Sequence, residues 1–287
     1  MPDFNSSARL KHEEDMIRSI TDHPWKTAVA PCQVAPHLYY AGNAWVGVFF
    51  LATSDGLVLF DTGLPSQVYT IFEGMRTFGF DPHDVKAILI SHGHFDHIGG
   101  LRSISEYTGA VCYVPEADIS LMQNAELALS FDYPLPPLGE HVCYEYGKPL
   151  VFGGISIEPV SSVGHTPGTT SFFITDTDEE GTSYKIAIHG GLGFAQLRDE
   201  YFADAHGAFE ARKLYRDTQT ALSKEPVDIP LSFHPYNVHL LERVQEGGWR
   251  ALIQPEMWKK MLCERLDQLD QLEKTSIYTN VGKEIAI

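Results

Sequence analysis

Apolar residues recur with two different periods along this chain. Alternating or continuous apolar runs at 38–41, 46–52, 56–60, 85–90 and 111–114 predict strands. The same signal returns at 155–160, 169–174, 184–188 and 229–233. Apolar positions three and four apart predict helices over 6–20, 68–78, 116–129, 205–222 and 256–274, with another beginning near Ile98. In the helix over 6–20, Leu10, Met16, Ile17 and Ile20 share a side. A stretch punctuated by proline follows to Pro36, and 131–147 is rich in proline and aromatics without periodicity, which predicts a loop over a site. Strands alternating with helices in two halves predict two packed sheets with helices outside. In the last helix Trp258, Leu262, Leu266, Leu269 and Glu273 step by four and three. That stripe predicts docking on the chain's own sheet, with a dimer seam as the alternative, so monomer and homodimer both stay open.

Composition narrows the function classes. A net charge of −17 repels a phosphate backbone, so no nucleic-acid partner is expected and a small-molecule substrate is. The four cysteines, Cys32, Cys112, Cys143 and Cys263, show no spacing for disulfides or a cysteine metal site. The longest apolar run, 44–52, is too short for a bilayer, which takes about 20 residues, and no secretory leader is visible. No membrane partner is expected, and the expected location is cytoplasmic. The motifs described next spread from Asp61 to His234 and must converge, which predicts one domain over 1–287, with 1–30 as a helical extension and 255–287 as a C-terminal helix and tail.

The densest chemistry is His92-Gly93-His94-Phe95-Asp96-His97, directly after the strand at 85–90. Three imidazoles and a carboxylate in six positions are metal-ligand chemistry, and the one-residue gap puts His92 and His94 on one side of an extended backbone. Solvated histidines on a polar turn are the alternative. Two more histidines follow strands: His165 in Gly164-His165-Thr166-Pro167-Gly168, and His234 in Ser232-Phe233-His234-Pro235. Six donors can hold two metal ions, His92, His94 and His165 the first, Asp96, His97 and His234 the second, with a bridging hydroxide. His239 is near enough to compete with His234. Metal-bound imidazoles usually donate their other N–H to a carboxylate or carbonyl, which makes Asp61 a candidate support.

These elements, in this order, resemble the metallo-β-lactamase superfamily from about Gln33 to about Asn237. The match comprises Asp61-Thr62-Gly63, the His92–His97 cassette, the Gly164–Gly168 turn and His234-Pro235. Within the superfamily the chain is most similar to the third subclass of metallo-β-lactamases, and Phe131-Asp132-Tyr133-Pro134 through Pro136-Pro137 to Tyr146-Gly147 is similar to the rim of those sites. The resemblance implies an α/β fold, a four-layer αββα sandwich of two mixed sheets. It implies a metal hydrolase with two zinc ions, five histidines and one aspartate favouring zinc, in which Asp96 orients the nucleophile and carries its proton. One departure stands out. Many members carry an aspartate that bridges both metals; by the family pattern Gly191 takes that position here. A centre with only Asp96 and a hydroxide against two divalent ions keeps a charge near +2, which suits an anionic substrate. His189, two residues earlier, is either a group behind the site or facing substrate, or a histidine hydrogen-bonded at a strand end. Thr166 and Tyr236 join Asp61 as supporting or substrate-facing candidates. Trp45, Phe131, Tyr133 and Tyr236 are candidate pocket walls, with core packing as the alternative.

The expected activity is opening of a cyclic amide, as a β-lactamase does. A hydrolase of a cytoplasmic ester, lactone or thioester is the alternative, disfavoured by Gly191, and a non-catalytic metal-binding module is the third reading. Lactamases that protect a cell are normally exported, so a cytoplasmic protein implies another main task.

Overall fold

The computed structural model describes residues 7–124 and 135–278. After helix α1 (Ser7–Asp22), the first sheet is built from β1 (Cys32–Gln33), β2 (Leu38–Gly42), β3 (Gly47–Thr53) and β4 (Gly56–Phe60), then β5 (Val85–Leu89), β6 (Val111–Val114) and β7 (Val142–Cys143). These seven strands lie side by side in chain order. The first four pair antiparallel and the last four parallel, sharing β4. The parallel crossovers carry α2 (Val68–Thr77), α3 (Phe95–Ile98), α4 (Leu101–Thr108) and α5 (Ile119–Gln123).

The second sheet has β8 (Leu150–Phe152), β9 (Ile155–Ser161), β10 (Thr170–Thr177), β11 (Ser183–His189) and β12 (Ile229–Ser232), in the order β12-β11-β10-β9-β8. Only β11 and β12 run parallel, joined by α6 (Ala205–Leu222). Helices α7 (Leu240–Gly247) and α8 (Pro255–Thr275) close the described chain. Two mixed sheets flanked by helices make the α/β sandwich that the resemblance implies.

Strand alternation explains the layering. On β3 and β4, Phe49, Leu51, Val58 and Phe60 face the second sheet, where they meet Phe172, Ile174, Ile186 and Ile188 in one continuous apolar cluster. The alternate residues Val48, Phe50, Leu57 and Leu59 meet Ile71 and Met75 of α2 and Leu101 and Ile104 of α4. Both faces are buried, so these strands read as nearly continuous apolar runs. The stripe on α8 is spent within the chain: Trp258, Leu262 and Leu269 are buried, and Trp258 donates Nε1–H to the Leu222 carbonyl. Docking on the chain's own fold is therefore what that stripe does, and Glu273 pairs with Arg216. Among the described residues, no helix is long and apolar enough to cross a membrane.

Some elements differ from expectation. β1, β7, β8 and α7 were not expected, being too short for a readable period or lying in polar sequence. The helix expected over 116–129 is a 3-10 turn at Glu116–Asp118 followed by α5, and its later part lies outside the described residues. So do Phe131, Asp132, Tyr133 and Pro134 of the expected rim. Of the remainder of that loop, β7 pairs with β6, and Tyr144 is buried with its hydroxyl donating to the Ile90 carbonyl.

Candidate metal centre

The loops that follow β5, β9, β11 and β12 meet at one end of the two sheets. They bring the six donors into two groups, His92 with His94 and His165, and Asp96 with His97 and His234, each with its ligand atoms within 4.8 Å of one another. In the first, Nε2 of His92 lies 3.1 Å from Nδ1 of His94, which lies 3.0 Å from Nε2 of His165. Nitrogens bound to a tetrahedral zinc at about 2.0–2.1 Å stand roughly 3.3 Å apart, so this spacing is close to that of a ligand set. In the second, Oδ2 of Asp96 is 3.5 Å from Nε2 of His97 and 3.6 Å from Nε2 of His234. His239 belongs to neither group; it precedes α7 in a left-handed conformation.

The far sides of the rings decide which nitrogen faces inward. His165 donates Nδ1–H to the Gly193 carbonyl at 2.9 Å, and His234 donates Nδ1–H to the Trp45 carbonyl at 2.7 Å. His97 donates Nδ1–H to Oδ2 of Asp61 at 2.6 Å. Ser91 donates its hydroxyl to the same Oδ2, so Oγ of Ser91 is left to accept from Nδ1 of His92 at 2.9 Å. A neutral imidazole has one N–H. In all four rings it points outward, and the bare Nε2 lone pairs converge on the two centres. The side-chain amide of Gln196 stands 3.2 Å from Nε2 of His94. The amide nitrogen is the nearer atom; turning the amide so that its oxygen meets the ring would let it take that N–H and free Nδ1. A cation fits where buried lone pairs gather with no hydrogen between them.

Electrostatics agree. Burial, reinforced by the neighbouring rings, holds His92 and His97 well below the usual imidazole range. Burial pushes His165 and His234 down to about 4. The rings are neutral at pH 7, as ligands must be. Burial pushes Asp96 up to about 7.

Asp61 ties the groups together. It is fully buried, adopts φ +58°, and accepts from Ser91 N, Ser91 Oγ and His97 Nδ1. One carboxylate thus orients His97 directly and His92 through Ser91. Left-handed backbone at a non-glycine residue is strained, and here it aims the carboxylate. Thr166 is also buried and faces Asp118. Tyr236 is 51% exposed with its ring 5.6 Å from that of His234, and Trp45 stands 5.3 Å from the same ring. His189 is 1% exposed, and both ring nitrogens are taken, Nδ1 by Gly191 N–H and Nε2 by Gln219. It faces the core beside Trp258 and supports the backbone of Gly191. Sequence reasoning passed over Ser91, Asp118, Gln196 and the carbonyls of Trp45 and Gly193. The loop bearing Gly193 and Gln196 is pinned at Leu197, whose carbonyl accepts two bonds from the nearly buried Arg212.

Gly191 has no room for a side chain beside the first donor group. A Cβ there would lie 2.3 Å from Cδ2 of His165. Gly191→Ser is expected to push that ring aside and weaken metal binding at the first group at least about tenfold, leaving the second unchanged. Zinc titration of the variant checks this.

Residues 42–179 match the family model of the metallo-beta-lactamase superfamily. That region of the chain is a metallo-beta-lactamase superfamily domain. BJP-1, a subclass B3 metallo-beta-lactamase of Bradyrhizobium japonicum, superposes with a TM-score of 0.74 at 25% identity, covering 86% of this chain and 94% of that one. Among curated relatives, the probable metallo-hydrolase YqgX of Bacillus subtilis is 27% identical over 54% of this chain and 72% of its own length. The exodeoxyribonuclease WalJ of Streptococcus pneumoniae is 31% identical over 55% of this chain and 57% of its own. Superfamily members with these names are hydrolases, and metal-binding hydrolase chemistry is what the shared region supports here.

Proposed function

We propose that this chain is a dinuclear zinc hydrolase that opens a cyclic amide, a β-lactamase-like activity. The observation that carries the reading is the pair of adjacent donor groups, five imidazoles and one carboxylate, with bare lone pairs facing inward. That donor set favours zinc over manganese or iron. Two zinc ions held there would supply hydroxide at neutral pH and draw electron density from a carbonyl oxygen.

The chain's own residues supply the rest. Asp61, Ser91 and the Gly193 and Trp45 carbonyls lock the ligand rings, which lowers the reorganisation needed during reaction. Asp96 lies at the edge of the second group, where one carboxylate oxygen would hold the ion and the other would be left to accept a proton and pass it to a leaving nitrogen. Trp45 and Tyr236 flank His234 and offer apolar surface to a substrate.

The charge at the centre is lower than the ligands alone indicate. Asp61 and Asp118 are both fully buried behind the rings. Burial pushes both carboxyls up, Asp61 well above the usual carboxylate range, so a bound pair of divalent ions would be what draws them to the ionised form. Once ionised they would bring the balance with Asp96 and a hydroxide near neutral, and the flanking walls would then carry more of the selection than attraction of an anion.

The resemblance to WalJ raises phosphodiester hydrolysis as a second reading. The net charge of −17 weighs against it.

Hydrolysis of a chromogenic cephalosporin by zinc-loaded protein, beside a chelator-treated control, tests the proposal. Chelator-sensitive turnover is expected. Protein holding two zinc ions and inert to the cephalosporin would overturn the lactamase reading and direct attention to esters, lactones and thioesters.

The pH dependence of metal uptake follows from the acidities. Below about pH 7 the metal-free Asp96 carries a proton that an incoming ion must displace, whereas the rings stay neutral to far lower pH. Affinity at the second group should fall about tenfold per pH unit below about 7, and affinity at the first should stay level to about pH 5. Zinc titrations across that interval check it; parallel loss at both groups would contradict it.

A further inference from the structure

Asp118 is a carboxylate that the proposed reaction does not use. It ends the Glu116–Asp118 turn after β6 and is fully buried. Its Oδ2 accepts from Gly93 N at 2.9 Å and from Thr166 Oγ1 at 2.6 Å, and its Oδ1 accepts from Gly168 N at 2.7 Å. Burial pushes this carboxyl up from the usual carboxylate value, and the three donors work against that shift. Burying an ionised group without a counter-ion is costly. An apolar residue would fill the space more cheaply. What a carboxylate alone provides is acceptor capacity on two oxygens at once.

The three donors are not arbitrary. Gly93 separates His92 from His94, on the loop that leaves the first sheet. Thr166 follows His165, and Gly168 closes the same turn, which belongs to the second sheet. The first donor group needs both loops, with 3.0 Å between the rings of His94 and His165. Contact is close: a Cβ on Gly168 would lie 2.7 Å from Cγ of Asp118. The second group draws no ligand from the Gly164–Gly168 turn. A backbone bond from Thr170 N to the Ser91 carbonyl joins the same two loops at their bases, so the fold does not hang on Asp118.

We propose that Asp118 is a positioning residue that clamps the His92–His94 loop to the His165 turn across the two sheets, and so sets the affinity of the first metal centre and not of the second. This rests on the reading that the two donor groups hold metal.

The test is titration of the metal-free protein with cobalt(II) alone, followed by visible absorption, which reports the geometry of each bound ion. In Asp118→Asn one oxygen becomes an amide nitrogen facing an N–H or hydroxyl. First-site affinity should fall about 10–100-fold with altered absorption bands, as for other supports of ligand loops, while second-site affinity is unchanged. Thr166→Val, which loses one of the three bonds, should fall between, and Thr166→Ser should behave as the wild type. Wild-type first-site affinity and bands in Asp118→Asn would overturn the clamp, whatever happens to thermal stability. If that variant fails to fold, the Thr166 pair decides: equal first-site affinity in Val and Ser overturns it. Cobalt binding by the wild type that His165→Ala leaves untouched would sink the metal assignment itself, a different failure.

Discussion

Asp61→Asn is expected to weaken zinc binding at the second donor group by about 10–100-fold in a chain that still folds. The substitution keeps size and shape but not acceptor capacity. Asp61 receives bonds only: Ser91 N on Oδ1, and Ser91 Oγ with His97 Nδ1 on Oδ2. If the asparagine oxygen faces His97, its amide nitrogen meets the Ser91 N–H and two donors collide. If the nitrogen faces His97, the ring must accept at Nδ1 and carry its proton on Nε2, the atom that faces Asp96. That tautomer has no lone pair for a metal ion. The first donor group should feel a smaller loss, since His92 reaches Asp61 through Ser91. Zinc titration of the variant resolves the two sites; wild-type affinity at both would show that the relay has no part in holding metal.

Asp96→Asn is expected to lower kcat by about 10²–10⁴-fold at saturating zinc, the range for losing a positioned proton carrier. Oδ2 of Asp96 lies between His97 and His234, which leaves its second oxygen to take a proton while the first holds the ion. Asparagine keeps an oxygen for the metal but takes no proton. Steady-state rates on any turned-over substrate, with zinc content measured on the same samples, separate metal loss from proton transfer. Near-normal kcat with both ions present would remove Asp96 from the reaction.

The sequence made the candidate donors legible because their signal is local. His92, His94, Asp96 and His97 sit within six positions after a strand, and glycine and proline mark the turns around His165 and His234. The layers were legible because β3 and β4 alternate faces that are both buried. What surrounds the ligands was not legible, because those pairings are distant in the chain. Asp118 meets Thr166 across 48 residues, Gln196 meets His94 across 102, and the Trp45 carbonyl meets His234 across 189. No spacing rule reaches that far. Strands of two or three residues such as β1, β7 and β8 exist only through their partners and carry no period of their own. His189 was balanced between two readings because a strand end beside a site looks alike from sequence whether its side chain turns inward or outward; its bonds to Gln219 and Gly191 turn it to the core.

Gly191 joins the two kinds of information. Its lack of a side chain is visible in the sequence, but the reason is steric: the His165 ring fills the place a bridging carboxylate would start from. The two donor groups must then be held in register by what stands behind them, Asp61 for both and Asp118 for the first.

The most direct test of the account is the zinc content of the folded chain after loading and dialysis, measured by elemental analysis beside His165→Ala. The account predicts two zinc ions per wild-type chain and one in the variant. Wild-type protein that retains none, or that holds the same amount as the variant, would contradict it.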